Sequence, residues 1–142
     1  MGYPMLATIL VADDDDDLRP ALCSLLAAEG YDVVELADGS STLEFLAEAA
    51  DCKRVRPDVL LLDFCMPGLS GIGLLRILRR FGTVPPAILI TAFPDPSVEA
   101  FARDAGAVCV LRKPVEGPDV LAAVRTALDL SAGREQPHPG TL

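Results

Sequence analysis

Five short apolar runs recur along the chain: ATILVA at 7–12, YDVVELA at 31–37, DVLLL at 58–62, AILI at 87–90 and AVCVL at 107–111. Each has the length of a strand, and most are apolar throughout instead of alternating, as strands covered on both faces are. The segments between them read as helices. Leu18, Leu22, Leu25 and Leu26 fall at i, i+4, i+7 and i+8, one helical stripe that Gly30 can close in a left-handed cap, with Pro20 in the first turn. SSTLEFLAEAA opens on serines suited to capping and sets Leu43, Leu46 and Ala47 on one side. A third helix begins at Ser70 and runs through Ile72, Leu75 and Leu78 or Arg79. A fourth takes Asp95 as N-cap, Pro96 as its first residue and Gly106 as its stop. The fifth carries Pro118 in its first turn and continues through Leu121, Val124 and Leu128. SAGREQPHPGTL has no periodicity and is rich in Pro and Gly, so the domain is expected over 1–130 and a disordered tail over 131–142.

Strict strand-then-helix alternation predicts an α/β fold: a doubly wound, five-stranded parallel sheet with five helices on both faces and right-handed crossovers. In such sheets the functional crevice lies beyond the carboxyl ends of the strands, near the point where strand order reverses. Asp13 and Asp14 follow the first run, Asp63 the third, Thr91 and Ala92 the fourth, and Arg112, Lys113 and Pro114 the fifth. The second run delivers only Ala37 and Asp38, which suits an edge strand.

At 142 residues and 51% hydrophobic, the chain has the size and apolar content of one globular domain with a real core. A formal charge of −9 repels nucleic-acid backbones and anionic membrane surfaces, so direct nucleic-acid binding is not expected. Cys23, Cys52, Cys65 and Cys109 form no C-x-x-C pair and accompany a single histidine, which indicates reduced thiols and neither a zinc site nor a disulfide framework. No stretch is long enough to span a membrane, and MGYPML lacks the layout of a secretion signal. A soluble, cytoplasmic protein is expected.

The acids are the chemistry that changes this picture. Asp13 to Asp17 stand in an unbroken run directly after the first strand. Two ionised carboxylates about 4 Å apart repel by roughly 4 kcal/mol at an effective dielectric near 20. The acids must therefore splay into water, hold protons, or share a cation. Taken alone, an acidic run is a solvated loop, a strand-end Asp a turn residue and a terminal Lys a surface charge. Convergence of four strand ends on one edge is not expected of independent loop residues. Asp13, Asp14 and Asp63 would make an oxygen-rich pocket suited to Mg²⁺. A carboxylate beside that ion is a competent nucleophile toward phosphorus, with Lys113 neutralising phosphoryl oxygens and the Thr91 hydroxyl donating to one of them.

ILVADDDDDLR, PDVLLLDFCMPGLSG, ILITA and VLRKP together resemble, in order and spacing from about residue 7 to residue 130, the receiver domain of two-component response regulators. The D-x-x-M-P-x-x-x-G pattern at Asp63, Met66, Pro67 and Gly71 is its most specific single part. The resemblance implies a flavodoxin-like strand order, 2-1-3-4-5. It makes Asp63 the acceptor of a phosphoryl group from the phosphohistidine of a sensor histidine kinase or histidine phosphotransfer protein. Asp13 and Asp14 become the Mg²⁺ acids, and Cys65 contributes its backbone carbonyl to the metal. Thr91 and Lys113 contact the phosphoryl group, and the Lys113–Pro114 bond is often cis. Asp15 is expected as a loop acid near the pocket, with Asp16 or Asp17 favouring the positive N-terminus of the first helix.

Two positions depart from the family. Val110 stands where receivers carry a Tyr or Phe whose rotation reports phosphorylation, so the signal is expected to pass from Thr91 to the loop around Phe93 and the fourth helix. Ser70 replaces a frequent Asp, and either caps a helix. The output is a downstream protein or a missing output domain, met around the fourth and fifth helices, with homodimerisation as a further option. Two alternatives are carried forward: a haloacid-dehalogenase-like Mg²⁺-dependent phosphatase, whose motifs come in the reverse order, and a receiver-like interaction module without phosphotransfer.

Overall fold

The structure, a computed structural model, describes residues 7–82, 84–93 and 95–135. Among these, five strands, β1 (Thr8–Ala12), β2 (Asp32–Leu36), β3 (Val59–Asp63), β4 (Ala87–Thr91) and β5 (Ala107–Arg112), alternate with five helices. The helices are α1 (Leu18–Ala28), α2 (Gly39–Ala50), α3 (Gly71–Arg80), α4 (Pro96–Asp104) and α5 (Gly117–Glu135). The strands pair in parallel in the order β2-β1-β3-β4-β5, the flavodoxin-like order. None of the described helices is long and apolar enough to cross a membrane.

The three central strands are buried along their whole length, which is why they read as unbroken apolar runs. Successive side chains on them go to opposite faces. Leu10, Leu60, Leu62 and Leu89 pack with Leu46 of α2, Leu74 and Leu75 of α3 and Ala102 of α4. Ile9, Val11, Leu61, Ile88 and Ile90 pack with Leu22 and Leu26 of α1 and Val120 and Val124 of α5. The edge strand β2 is only half covered.

Helix ends follow local chemistry. Ser70 Oγ accepts from Gly73 N at 3.0 Å, and Asp95 Oδ1 accepts from Ser97 N at 2.9 Å with Pro96 in the first turn. Gly30 and Gly106, at φ +96° and +105°, turn the chain out of α1 and α4. Three expectations are corrected. The cap of α2 is Asp38, which stays extended and accepts from Ser41 N at 2.7 Å; the serines already lie inside the first turn. Ala47 is exposed, because the buried side of α2 runs through Thr42, Leu46 and Ala49. The expected boundary at 130 is passed by α5, which continues to Glu135, since SAGRE holds no proline to break it. The rest of the expected tail, 136–142, lies outside the described residues.

Candidate functional site

Register brings the strand ends level. Ala12 pairs with Leu62, Asp63 with Ile90, and Thr91 with Arg112, so Asp13, Asp63, Thr91 and Lys113 follow one another across the sheet edge. The pairing of β4 with β5 slips by one residue between Ala87 and Ile88, leaving Val108 without a partner on β4. That extra residue sets which side chain of β5 reaches the edge. Backbone bonds from Phe64 N to Ile90 O, 2.7 Å, and from Lys113 N to Thr91 O, 2.8 Å, fix the last rungs.

The loop between β3 and α3 is held down at Gly71, whose N–H donates to Phe64 O. A Cβ at Gly71 would lie 2.5 Å from the Asp63 carbonyl oxygen. Only glycine lets α3 start this close to the residue it positions, which gives the last residue of the D-x-x-M-P-x-x-x-G pattern its physical reason.

Asp13, Asp14 and Asp63 each offer a carboxylate oxygen, and these atoms lie within 4.8 Å of one another. Asp13 and Asp63 are only 1% and 4% exposed, whereas Asp14 is exposed. Lys113 Nζ sits 3.4 Å from Asp63 Oδ1 and 3.6 Å from Asp13 Oδ2. Burial, then the neighbouring charge of Asp13, pushes the Asp63 carboxyl up to about 7, with Lys113 acting in the opposite sense. Asp13 Oδ1 accepts from Asp15 N, but Asp13 Oδ2 is buried and accepts no hydrogen bond. A buried carboxylate oxygen that accepts no hydrogen bond and has only the Lys113 ammonium at 3.6 Å, beside two further acids, suits a hard divalent cation, so the donor set fits Mg²⁺.

A cleft of about 270 Å³ opens over this cluster, with Asp14, Asp63, Cys65, Thr91, Phe93 and Lys113 on its wall. Cys65 is exposed there, and its N–H donates to Asp63 Oδ1 at 3.3 Å. Thr91 is buried. Its hydroxyl oxygen accepts from Phe93 N at 3.0 Å, while its O–H faces Phe93 O at 3.4 Å. Val110 does not border the acidic cleft; it lines a neighbouring one of about 300 Å³ that shares Thr91 and Phe93. The Lys113–Pro114 bond is cis.

The acidic run divides its labour differently from expectation. Asp15, on the cleft wall, also caps α1: its Oδ1 accepts from Asp17 N and Leu18 N, which holds its carboxyl below the usual range. Asp17, at the cap position, makes no side-chain cap bond. Asp16 pairs with Arg19 at 2.8 Å. Arg19 is a positioning residue missed by motif reasoning: it also donates to the Asp13 carbonyl at 2.9 Å and pairs with Glu35, tying the acidic loop to α1 and β2. Its only sequence signal was a cation in the first turn of the helix, two residues after the last of the acids.

Residues 9–125 match the family model of the response regulator receiver domain. The DNA-binding response regulator MtrA of Mycolicibacterium smegmatis is 36% identical over 124 residues, which are 87% of this chain and 51% of that protein. The response regulator MprA of Mycobacterium leprae is 38% identical over 120 residues, 84% of this chain and 50% of that one. The chain thus spans about half the length of these relatives. Among solved structures, a response regulator receiver domain protein from Clostridium thermocellum superposes with a TM-score of 0.81 at 29% identity, covering 91% of this chain and 99% of its own. A CheY-like receiver domain protein from Methanospirillum hungatei gives 0.78 at 26% identity, with 91% and 98% covered.

Proposed function

Since the chain belongs to the response-regulator receiver family, we propose that it accepts a phosphoryl group onto Asp63 from the phosphohistidine of a sensor histidine kinase or histidine phosphotransfer protein. The observation that carries this reading is the meeting of Asp13, Asp14 and Asp63 within 4.8 Å, with Lys113 Nζ 3.4 Å from Asp63. Asp13, Asp14 and Asp63, joined by the Cys65 backbone carbonyl, would hold Mg²⁺. Bound there, the ion supplies positive charge that lets a carboxylate and a phosphoryl group approach.

This chain's side chains do the rest. An Asp63 carboxylate oxygen forms a bond to phosphorus as the phosphorus–nitrogen bond of the donor breaks, and the departing imidazole nitrogen keeps the electron pair. Lys113 neutralises charge on the transferred group, and Thr91 turns its hydroxyl toward a phosphoryl oxygen. That turn gives up the contacts with Phe93 N and O. Phe93, 61% exposed, is then free to move with the head of α4, which provides a readout without an aromatic at Val110. The downstream protein, an output domain or a second copy would meet the α4–β5–α5 side, in a cytoplasmic setting. Family membership sets aside the dehalogenase-like phosphatase.

Incubation with acetyl phosphate and Mg²⁺, followed by intact mass measurement, tests the reading. A labile phosphate adduct, absent in Asp63→Asn, is expected; folded protein that takes no adduct would instead support the interaction module without phosphotransfer. Amide NMR shifts at 91–99 should move on phosphorylation, and their constancy would remove Phe93 from the readout.

A further inference from the structure

Away from the acidic cleft, where β3 and β4 begin, α2 and α3 part over a cavity of about 640 Å³. Leu46 and Ala50 of α2 face Ile77 and Leu78 of α3 and Phe81 just past its end, with Pro57 among the lining residues. The space arises from sequence: the last turn of α2 presents Ala47, Ala49 and Ala50, methyl groups where larger side chains would close on α3. Phe81 at the rim is 83% exposed and nearby Val55, two residues before Pro57, is 66% exposed. A lining this apolar gives water few partners, and the volume falls in the range of small-molecule sites, about 300–1,000 Å³.

Charge selects the kind of molecule. The chain carries −9 overall, yet the segments framing this cavity, 52–56 and 76–81, hold six of its twelve cations and no acid: Lys53, Arg54, Arg56, Arg76, Arg79 and Arg80. Arg54 is taken by Glu48 at 2.8 Å, and Arg79 by the Asp104 carbonyl at 2.7 Å. Arg56 lines the cavity, is exposed, and makes no ion pair or hydrogen bond among the described residues. Asp51, at the end of α2, is the acid of the lining. It disfavours a polyanion but leaves the Arg56 guanidinium open to a single anionic group.

We infer that the cavity between α2 and α3 binds a small amphiphilic carboxylate, its apolar body between Leu46 and Leu78 and its anionic end at Arg56. The site is separate from the phosphoryl-accepting cleft and needs neither Mg²⁺ nor Asp63. An anionic end fits the one uncommitted cation of the lining, and a neutral hydrocarbon would leave it unused.

Decanoate serves as the probe, titrated into the full chain and followed by amide NMR, with decanol as the uncharged control. Saturable shifts confined to residues 43–57 and 77–85 are expected. Affinity should fall about tenfold or more for decanol and for Arg56→Gln, the size of one charge-assisted hydrogen bond. Ala50→Phe, which fills the cavity from an exposed position, should abolish the shifts, and Asp63→Asn should leave them unchanged. Shifts that do not saturate, that fall elsewhere, or that match for decanol or Arg56→Gln would overturn the inference. Should Ala50→Phe fail to fold, the decanol and Arg56→Gln arms decide alone.

Discussion

With Asp13 alongside and little water around it, the Asp63 carboxyl is pushed up to about 7 from 3.8, so the folded metal-free protein holds a proton that the unfolded chain releases. The stability tied to that proton is complete below pH 3.8 and is lost as pH rises through about 7. Asp15, Asp38 and Asp95 carry the opposite sign. Backbone N–H donors lower each of them, so their contribution is present above 3.8 and disappears as pH falls below it. The two windows do not overlap. Urea unfolding of the metal-free protein should therefore show stability falling between about pH 4 and pH 7, and Asp63→Asn should flatten that fall. Mg²⁺ should restore the lost stability at pH 8, by about 2.7 kcal/mol at one hundred times its dissociation constant. An unchanged slope in Asp63→Asn would mean that another group sets it.

Among the elements, the ends of α2 and the start of α3 carry the strain and the close contacts. Cys52, just past α2, sits at φ +61°, a left-handed conformation that costs an L-residue roughly 1–2 kcal/mol. Its N–H bonds the Ala49 carbonyl, so this is a helix cap built without glycine. Cys52→Gly should stabilise the protein by about 1 kcal/mol, read as a higher urea midpoint at unchanged m-value. Gly71→Ala acts the other way. A methyl group 2.5 Å from the Asp63 carbonyl oxygen and 2.9 Å from Leu89 Cδ2 cannot be housed without moving β3 against α3. A loss of about 1–3 kcal/mol is expected in the same assay. Sequence reading reached Ser70, Asp95, Gly30 and Gly106 because each stands alone as a cap or stop. It missed Cys52 because a helix end closed without glycine carries no signal in the sequence, and it missed Asp38 and Asp15 for a shared reason. Where several acids or serines are adjacent, the cap is whichever residue stays out of helical geometry, and composition does not tell neighbours apart. Ala47 failed because it lies one position, about 100°, around the helix from Leu46, while the buried side turns the other way, through Thr42 and Ala49.

Across the whole molecule, the site was legible because it depends on order alone: a polar residue after each buried run lands on one edge once the strands are parallel. The register slip at Val108, the Arg19 anchor and the parting of α2 from α3 depend on packing between segments far apart in sequence, which no local pattern encodes. The sheet also divides the core into two layers. Ile72 belongs to the layer under α2, α3 and α4, and Ile88 to the layer under α1 and α5, with different neighbours in each. Ile72→Val and Ile88→Val each delete one buried methylene and should cost about 0.5–1.5 kcal/mol. If the sheet insulates the layers, the double variant should lose the sum of the two within about 0.5 kcal/mol, as sites without shared partners do. Urea unfolding of the four proteins closes this cycle. A coupling of 1 kcal/mol or more would show that the strands transmit packing changes from one face to the other, and a movement at the Asp63 edge would then reach α1 and α5 as readily as α4.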